Sequence, residues 1–350
     1  MGELPEKMYG VLLVGHGGPE MLQFRNDIPV PHPGTNDVLV RVSAAGVNNT
    51  DINTRTAWYS KSDHNDDDAS WSGQALKFPL IQGADVCGTI ASVGENVESG
   101  RIGERVLIEP CIREAHNNSL DKPWYLGSEC AGGFAEYVVV ASRHAYAVNS
   151  TYEDYELASF PCSYSTAENM LTRSQVTAGD RVLITGASGG VGSAAIQLAK
   201  MRKAEVIAVT SPSKVETLRK LGADQTIGRE DDFVELLGKG SIDVVLDLVA
   251  GRNWHSLLDV LQSGGRYAVA GAIGGSIVEL DVRTLYLNDL SFFGCTVLEP
   301  EVFGNLVALI ENGRVKPMVA ETYPLNEIKI AQASFENKKH IGKIVLKVMD

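Results

Sequence analysis

The sequence predicts an α/β protein of two domains, and two features of its 350 residues carry this prediction. A glycine-rich turn at 186–192 separates an apolar run that is typical of a strand from a run with helical periodicity. Strand-like and helix-like segments then alternate as far as residue 297, whereas the first 160 residues contain mainly strand-like runs between Gly, Pro and Asn turns. Because the chain is too long for one hydrophobic core, each pattern predicts a domain of its own.

The alternating half predicts a six-stranded, doubly wound parallel sheet. Parallel neighbours need a long connection, which a helix crossing over the sheet provides. The expected strands are Arg181–Ile184, Glu205–Thr210, Asp224–Ile227, Asp243–Leu248, Arg266–Gly271 and Phe292–Val297, and the expected helices are Ser193–Met201, Lys214–Leu221, Phe233–Leu237 and Trp254–Leu261.

The first part of the chain predicts a mostly antiparallel, barrel-like β domain. Its strand-like runs are Tyr9–Val14, Val38–Ala44, Gly88–Val93, Arg105–Glu109 and Phe134–Val140. The last strand-like run, Ile341–Val348, has no room for a domain of its own. We therefore expect it to return to this domain after a helix at Val302–Asn312. The domains are expected at 1–162 with 298–350, and at 163–297.

The glycine-rich turn predicts a dinucleotide-binding site. Its small residues bring backbone N–H groups and the positive end of a helix against a diphosphate, which larger side chains would hold away. The alternative is a turn without a ligand, which the doubly wound pattern around it disfavours. The residues expected at the phosphates are Ala187, Ser188, Gly189, Gly190, Val191 and Gly192.

The end of the second strand predicts NADPH rather than NADH as the cofactor. In NAD-binding folds an acidic residue usually binds the ribose hydroxyls about twenty positions after the loop. Here Thr210 and Ser211 occupy that place, with Lys214 three residues on and Arg229 after the third strand. Hydroxyls and cations would bind a 2′-phosphate that a carboxylate would repel. The alternative is that both cations are ordinary solvated surface charges.

Composition narrows the classes of function. The formal charge of −13 argues against a nucleic-acid partner, because such proteins concentrate positive charge. No apolar run approaches the ~20 residues that span a bilayer, and the first residues lack a signal-peptide core. We therefore expect a cytoplasmic protein without a membrane partner. The five cysteines are scattered without a C-x-x-C pair, which suits a reducing compartment and argues against a structural zinc site.

One segment, Ser60–Gln74, is rich in aspartate and small polar residues and is expected to form a mobile loop. Its aspartates do not have the spacing of a calcium loop, so we expect them to be solvated surface charges and not metal ligands. Trp58 and Trp71 bracket the segment. The alternative is therefore a lid over an apolar substrate.

A series of short motifs resembles, in order and spacing, the medium-chain dehydrogenase/reductase superfamily over nearly the whole chain. The resemblance implies a Rossmann cofactor domain and a GroES-like, mostly antiparallel β-barrel catalytic domain. The motifs are Gly46-Val47-Asn48, Gly83-Ala84-Asp85-Val86-Cys87-Gly88, Gly103-Glu104-Arg105-Val106, Ser165-Thr166-Ala167, 185–192, Leu221-Gly222-Ala223-Asp224 and Ile341-Gly342-Lys343-Ile344-Val345.

The resemblance also implies which residues of this chain stand at the zinc-ligand positions of related enzymes. Zinc alcohol dehydrogenases of this superfamily carry Cys where this chain has Asn48, His-Glu where it has Ala84-Asp85, and a third ligand at Cys162. Catalytic zinc ordinarily takes three protein ligands, and here only Cys162 is a good donor, with Asp85 a possible second. No metal is expected. The chain is thus similar to the zinc-independent quinone oxidoreductase branch, which reduces quinones or α,β-unsaturated carbonyls with NADPH.

The same resemblance assigns roles to four residues. Asn48 is expected at the nicotinamide or the substrate, and Tyr59 is expected to donate a hydrogen bond to the substrate carbonyl. Thr166 and Lys343 are expected to approach the cofactor. Each has a simpler alternative: Asn48 and Thr166 as helix caps, Tyr59 as a packing residue, and Lys343 as an exposed lysine.

Three functions stay open from the sequence. The first is an NADPH-dependent quinone or enone reductase. The second is a carbonyl reductase or alcohol dehydrogenase with a degenerate zinc site built on Cys162 and Asp85. The third is a non-catalytic binding protein of the kind found among lens crystallins, which the intact cofactor loop disfavours. Since relatives often pair through the edge strand of the nucleotide sheet, a homodimer through Phe292–Val297 is also expected.

Overall fold

The computed structural model of the protein describes residues 4–61 and 68–349. The strands are β1 (Lys7–Leu13), β2 (Leu22–Pro29), β3 (Asp37–Val47), β4 (Leu80–Ile81), β5 (Asp85–Val93), β6 (Arg105–Ile108), β7 (Cys111–Ala115), β8 (Asn118–Tyr125), β9 (Tyr137–Ala141), β10 (Ala145–Ala147), β11 (Arg181–Ile184), β12 (Glu205–Thr210), β13 (Gln225–Gly228), β14 (Ile242–Asp247), β15 (Leu261–Val269), β16 (Ser291–Gly294), β17 (Val319–Pro324) and β18 (Lys343–Lys347).

The α-helices are α1 (Asn49–Arg55), α2 (Asp154–Leu157), α3 (Pro161–Arg173), α4 (Gly190–Met201), α5 (Val215–Leu221), α6 (Phe233–Leu237), α7 (Trp254–Val260), α8 (Val282–Leu287), α9 (Val302–Glu311) and α10 (Ile328–Glu336). Within the described ranges, none of them is long and apolar enough to cross a lipid bilayer. The chain forms two compact units, Met1–Cys162 with Phe303–Asp350, and Ser163–Val302.

The second unit is built on a six-stranded parallel sheet in the order β13-β12-β11-β14-β15-β16. Val182 in β11 lies opposite both Val206 in β12 and Val244 in β14. The order of the strands reverses beside β11, because β12 and β13 lie on one side of it and β14 to β16 on the other. Open α/β sheets place ligand sites at such a reversal, beyond the carboxyl ends of the strands. The glycine-rich turn follows β11 and lies at this point.

Apolar side chains on the sheet and its helices form the core of the second unit, including Leu183, Ile207 and Val245. Two strands of this sheet differ from the prediction by three residues or more at one end. The strand expected at Arg266–Gly271 begins already at Leu261, where the backbone leaves α7 with extended torsions. The strand expected at Phe292–Val297 ends at Gly294.

The first unit contains a seven-stranded sheet in the order β10-β6-β5-β3-β18-β17, with β9 also paired to β3. The long strand β3 organises it by pairing antiparallel with β5, β9 and β18. The expected closed barrel is not present among the described strands, because the end strands β10 and β17 pair only with β6 and β18. The sheet is also mixed, since α10 carries the chain back and leaves β17 parallel to β18.

The return of the last strand to the first unit is confirmed, because Ile344 of β18 lies opposite Val47 of β3. A three-stranded sheet, β2-β1-β4, and the hairpin β7-β8 complete this unit. The predicted acidic loop lies partly outside the described residues, at 62–67. Its flanks are hydrogen-bonded to each other, since the Ser60 hydroxyl donates to Asp68 Oδ1 at 2.6 Å and the Lys61 N–H to Asp68 Oδ2 at 2.9 Å.

Candidate active site

The glycine-rich turn between β11 and α4 needs glycine at two positions. Gly186 has a φ of +57°, in the left-handed region. A Cβ on Gly192 would lie 2.4 Å from the Gly186 carbonyl oxygen, so the first turn of α4 packs directly on the loop. Gly189, Gly190 and Val191 are partly exposed at the start of α4, where the first helical N–H groups have no intrahelical partner. These groups can therefore bind an anion.

A buried carboxylate at the end of β14 fixes the start of this loop. The Thr185 hydroxyl donates to Asp247 Oδ1 at 2.5 Å, and the Tyr267 hydroxyl donates to Asp247 Oδ2 at 2.5 Å. The N–H groups of Val249 and Ala250 also donate to this carboxylate. Burial and the charge of Asp247 raise the pKa of Tyr267, so its hydroxyl stays a donor. This network was not predicted from the sequence, where its only signal was an aspartate at the end of an apolar strand.

Hydroxyls and cations lie at the end of β12, where the sequence predicted the ribose end of the cofactor. Lys214 is buried, and its Nζ lies 3.3 Å from the Ser188 hydroxyl in the glycine-rich turn. Burial lowers the pKa of Lys214, and the nearby charge of Arg229 lowers it further. Within the part of the chain that the structure describes, the buried Thr210 hydroxyl has no hydrogen-bond partner. The solvated-charge alternative is thus wrong for Lys214, and the cluster fits an anionic ligand.

Ser211 and Thr166 complete the predicted set in the second unit. The Ser211 hydroxyl lies 3.5 Å from that of Ser213, at the start of the turn that contains Lys214. Thr166 is partly buried in the second turn of α3 and does not cap that helix, which begins at Pro161.

In the first unit, a buried ion pair between Lys343 and Asp85 contacts Asn48, which stands at a zinc-ligand position of related enzymes. Lys343 Nζ donates to Asp85 Oδ2 at 2.6 Å, to Asn48 Oδ1 at 2.5 Å and to the Val47 carbonyl at 3.0 Å. The side chains of Lys343 and Asp85 are 2% and 0% exposed. The alternative of an exposed lysine is therefore wrong, and the approach of Lys343 to the cofactor stays a prediction. All three ammonium hydrogens have acceptors within the chain.

The Asn48 amide is held at both ends by this cluster. Its Oδ1 accepts from Lys343, while its Nδ2 donates to Asp85 Oδ2 at 2.9 Å and to the Gly46 carbonyl at 3.3 Å. Asn48 also precedes α1, and its backbone N–H donates to Asp51 Oδ2 at 2.7 Å. Asn48 is thus the N-cap of α1, and this position is compatible with its predicted role at the nicotinamide or the substrate.

Asp51, which was not predicted from the sequence, adds a second buried carboxyl group to this region. Besides the Asn48 N–H, its surroundings include Gln82, whose Nε2 donates to the Asp51 carbonyl at 2.8 Å. Burial raises the pKa of the Asp51 carboxyl to about 7, although the Asn48 N–H and the Lys343 charge oppose the rise. The sequence signal was an acid three residues after a capping Asn.

Cys162 connects this cluster to Tyr125. Its backbone N–H donates to Asp85 Oδ1 at 2.5 Å, and its Sγ lies 2.9 Å from the Tyr125 hydroxyl. Burial and the Asp85 charge raise the pKa of the Cys162 thiol to about 12. Tyr59 is partly buried, and its hydroxyl lies 3.2 Å from the Thr50 hydroxyl. Burial raises the pKa of Tyr59, and the proximity of Cys162 and Asp51 adds to the rise.

These donors do not fit a catalytic zinc ion. Zinc takes thiolate, neutral imidazole or carboxylate ligands, whereas here an amide and a methyl group stand at two ligand positions, Asn48 and Ala84. The third position, Cys162, carries a thiol whose Sγ already contacts the Tyr125 hydroxyl at 2.9 Å. Asp85 is already paired with the ammonium of Lys343. Within the described ranges, no three His, Cys, Asp or Glu side chains are arranged to hold a metal ion.

Comparison with known proteins gives relatives of two named activities. Residues 34–150 match the family described as alcohol dehydrogenase GroES-like domain, and residues 190–312 match zinc-binding dehydrogenase. Quinone oxidoreductase of Homo sapiens is 30% identical over 356 residues, which cover 97% of each chain. The NAD-dependent alcohol dehydrogenase of Sulfurisphaera tokodaii is 30% identical over 357 residues, or 97% of this chain and 99% of that protein.

A solved structure from Sinorhizobium meliloti 1021, provisionally described as an alcohol dehydrogenase, is 42% identical and has a TM-score of 0.91. The match covers 98% of this chain and 97% of that one. These relatives align with the chain over both units, and both family matches name parts of one kind of oxidoreductase. The protein belongs to the medium-chain dehydrogenase/reductase family.

Proposed function

We propose that this oxidoreductase reduces quinones or α,β-unsaturated carbonyls with NADPH and without a metal ion. The observation that carries the proposal is the Lys343 ammonium bound between Asp85 and Asn48, of which Asn48 stands at a zinc-ligand position of related enzymes. A chain that neutralises Asp85 with its own cation has little affinity left there for a second one. Quinones and enones suit such a site, because their developing negative charge is delocalised and needs only hydrogen-bond donors.

Tyr59 is the proposed donor to the substrate oxygen. When bound, the nicotinamide supplies a hydride, and each turnover also consumes one proton to give a hydroquinone or a saturated carbonyl. Burial keeps the Tyr59 hydroxyl protonated at neutral pH, and the contact with Thr50 restrains its ring. Asn48, fixed at both ends of its amide, is proposed to shape the site at the nicotinamide or the substrate.

The second unit is proposed to bind the cofactor phosphates. The first N–H groups of α4 would bind the diphosphate, and Ser188, Thr210, Ser211, Lys214 and Arg229 would bind the phosphorylated ribose. The Thr210 hydroxyl, which has no hydrogen-bond partner among the described residues, and the buried Lys214 ammonium beside Ser188 support this assignment. No acidic residue occurs between Thr210 and Lys214.

A panel of substrates tests the function. Protein purified without added metal would be assayed with quinones, enones, enoyl thioesters and carbonyls against NADPH and NADH, and with alcohols against NADP⁺ and NAD⁺. We expect quinone or enone reduction with NADPH, unchanged by prolonged chelation, and no stoichiometric zinc. Bound zinc whose removal abolishes turnover would favour the alternative of a carbonyl reductase or alcohol dehydrogenase, which the relatives named alcohol dehydrogenase support. Absence of any turnover would favour a binding protein.

Lys214→Ala tests the cofactor assignment. Losing a charge-assisted hydrogen bond costs roughly 1.5–3 kcal/mol, so NADPH should bind about ten- to a hundredfold more weakly while NADH binds as before. Lys220→Ala is the matched control, because Lys220 is an exposed lysine of the neighbouring helix α5. Equal affinity of the unmutated protein for NADH and NADPH would contradict the assignment.

A further inference from the structure

Two aromatic rings of the first unit are stacked beside the Cys162 thiol. The rings of Trp71 and Tyr125 lie 4.9 Å apart between centroids, at an interplanar angle of 26°. Tyr125 is buried, and its hydroxyl contacts Cys162 Sγ, whereas Trp71 is partly exposed. Tyr125 therefore backs one face of the indole, and part of Trp71 stays accessible.

The Glu129 carboxylate binds the backbone at Tyr125 and at Ser72, the residue after Trp71. Glu129 Oε1 accepts the N–H of Ser72 at 2.7 Å, and its Oε2 accepts the N–H of Tyr125 at 2.8 Å. The Trp71 N–H donates to the Ser128 hydroxyl at 3.1 Å, and Lys122 Nζ donates to the Ser72 carbonyl. The position of Trp71 is thus determined by the hairpin that carries Tyr125, which makes the indole a preorganised surface.

The stacked pair belongs to the same group of contacts as Asn48. The Tyr125 hydroxyl lies 2.9 Å from Cys162 Sγ, the Cys162 N–H donates to Asp85 Oδ1 at 2.5 Å, and Asp85 Oδ2 accepts from Asn48 Nδ2 at 2.9 Å. A substrate that meets Asn48 is therefore near the stacked pair. Offset stacking favours flat, electron-poor rings on electron-rich ones, and an indole is the most electron-rich side chain for this purpose.

We propose that Trp71, stacked on Tyr125, is a specificity-determining residue that selects planar ring substrates over acyclic ones. The inference rests on the proposed reductase function and narrows it to acceptors such as bicyclic quinones. An acyclic enone or enoyl thioester has no ring to stack and gains little from the indole.

Steady-state kinetics with two substrates tests the inference. The probes are 1,4-naphthoquinone and the acyclic 3-hexen-2-one, each with saturating NADPH. Trp71→Leu keeps apolar bulk but removes the aromatic face. It should lower kcat/KM for the quinone about tenfold, mainly through KM, and change that for the acyclic enone less than twofold. Trp71→Phe should recover most of the loss.

Matched variants separate specificity from folding. Trp124→Leu alters the adjacent strand residue, whose ring contacts His116 instead, and should leave the ratio of the two kcat/KM values unchanged. An equal loss on both substrates in Trp71→Leu, no loss on either, or failure of Trp71→Phe to recover would overturn the inference. So would reduction of the enone but not the quinone by the unmutated protein, a result that leaves the proposed function intact. If the unmutated protein reduces neither class, the proposed function fails and the inference falls with it.

Discussion

At Lys343 the chain places a full charge where almost no solvent reaches, and its three acceptors make that arrangement tolerable. A buried ammonium without partners would cost several kcal/mol, whereas here Asp85 supplies the counter-charge and Asn48 and Val47 supply neutral acceptors. The same contacts hold the Asn48 amide at both ends. The buried charge thus fixes a residue that is proposed to act at the site.

At the residue scale, Tyr59→Phe tests the proposed role of Tyr59 as hydrogen-bond donor to the substrate oxygen. If the hydroxyl donates to the developing oxyanion, its removal should lower kcat with an enone about a hundredfold and leave NADPH affinity intact. The loss with a quinone should be smaller, because its charge is more widely spread. Thr50→Val keeps the Tyr59 hydroxyl but removes its contact, so it should lower kcat less. Unchanged turnover of Tyr59→Phe on both substrates would return Tyr59 to a packing role.

At the scale of the element, the short helix α1 is fixed at both ends by contacts with the rest of the first unit. Seven residues are too few for a stable isolated helix, so its ends are fixed by the rest of the unit. Asn48 and Asp51 hold the first turn. At the last turn, buried Arg55 donates to Gln332 Oε1 at 3.0 Å and to the Gly17 carbonyl at 2.8 Å. The helix therefore places Asn48, Thr50 and Asp51 reproducibly.

Asp51 gives this element a dependence on pH. Its pKa is about 7 in the fold and near 3.8 ordinarily, so between these values the folded chain keeps a proton that the unfolded chain has lost. Its contribution to stability is present at low pH and decreases as the pH rises from about 4 to about 7. Asp51→Asn removes this titration and keeps an acceptor for the Asn48 N–H.

The measurement is urea unfolding of both proteins at several pH values. The free energy of unfolding of the unmutated protein, taken relative to Asp51→Asn, should decrease by up to about 1.4 kcal/mol per pH unit in that window and level off above it. Parallel pH profiles for the two proteins would show that Asp51 does not bind a proton in the fold.

At the scale of the whole molecule, the second unit exposes apolar side chains along the segment that leads to the edge strand of its sheet. Strand β16 is the last strand on one side of that sheet, and the segment before it in the sequence exposes Ile277 by 90%, Tyr286 by 62% and Leu287 by 67%. Large exposed apolar side chains often mark protein contacts, and an uncovered edge strand invites pairing.

We predict a homodimer through this edge, measured by light scattering at micromolar concentration. Leu287→Asp should shift it to a monomer by placing a charge in the apolar contact. Ile330→Asp is the matched control, since Ile330 is a similarly exposed apolar residue on α10 of the other unit and should leave the dimer intact. A monodisperse monomer of the unmutated protein would contradict the prediction.

The sequence by itself determined the alternating strands and helices of the second unit and the glycine-rich turn at 186–192. Runs of β-branched residues, a turn of small residues and helical periodicity are all local properties of a sequence. It also determined that two zinc-ligand positions hold Asn48 and Ala84, and that no acid follows β12. Only the tertiary structure decided that the first unit's sheet stays open, since pairing between distant strands leaves no local signal. It alone brought Lys343 to Asp85 across 258 positions and stacked Trp71 on Tyr125. The burial of a side chain depends on the whole fold and not on any single position. For this reason neither the buried Lys343–Asp85 ion pair nor the Trp71–Tyr125 stack could be predicted from the sequence.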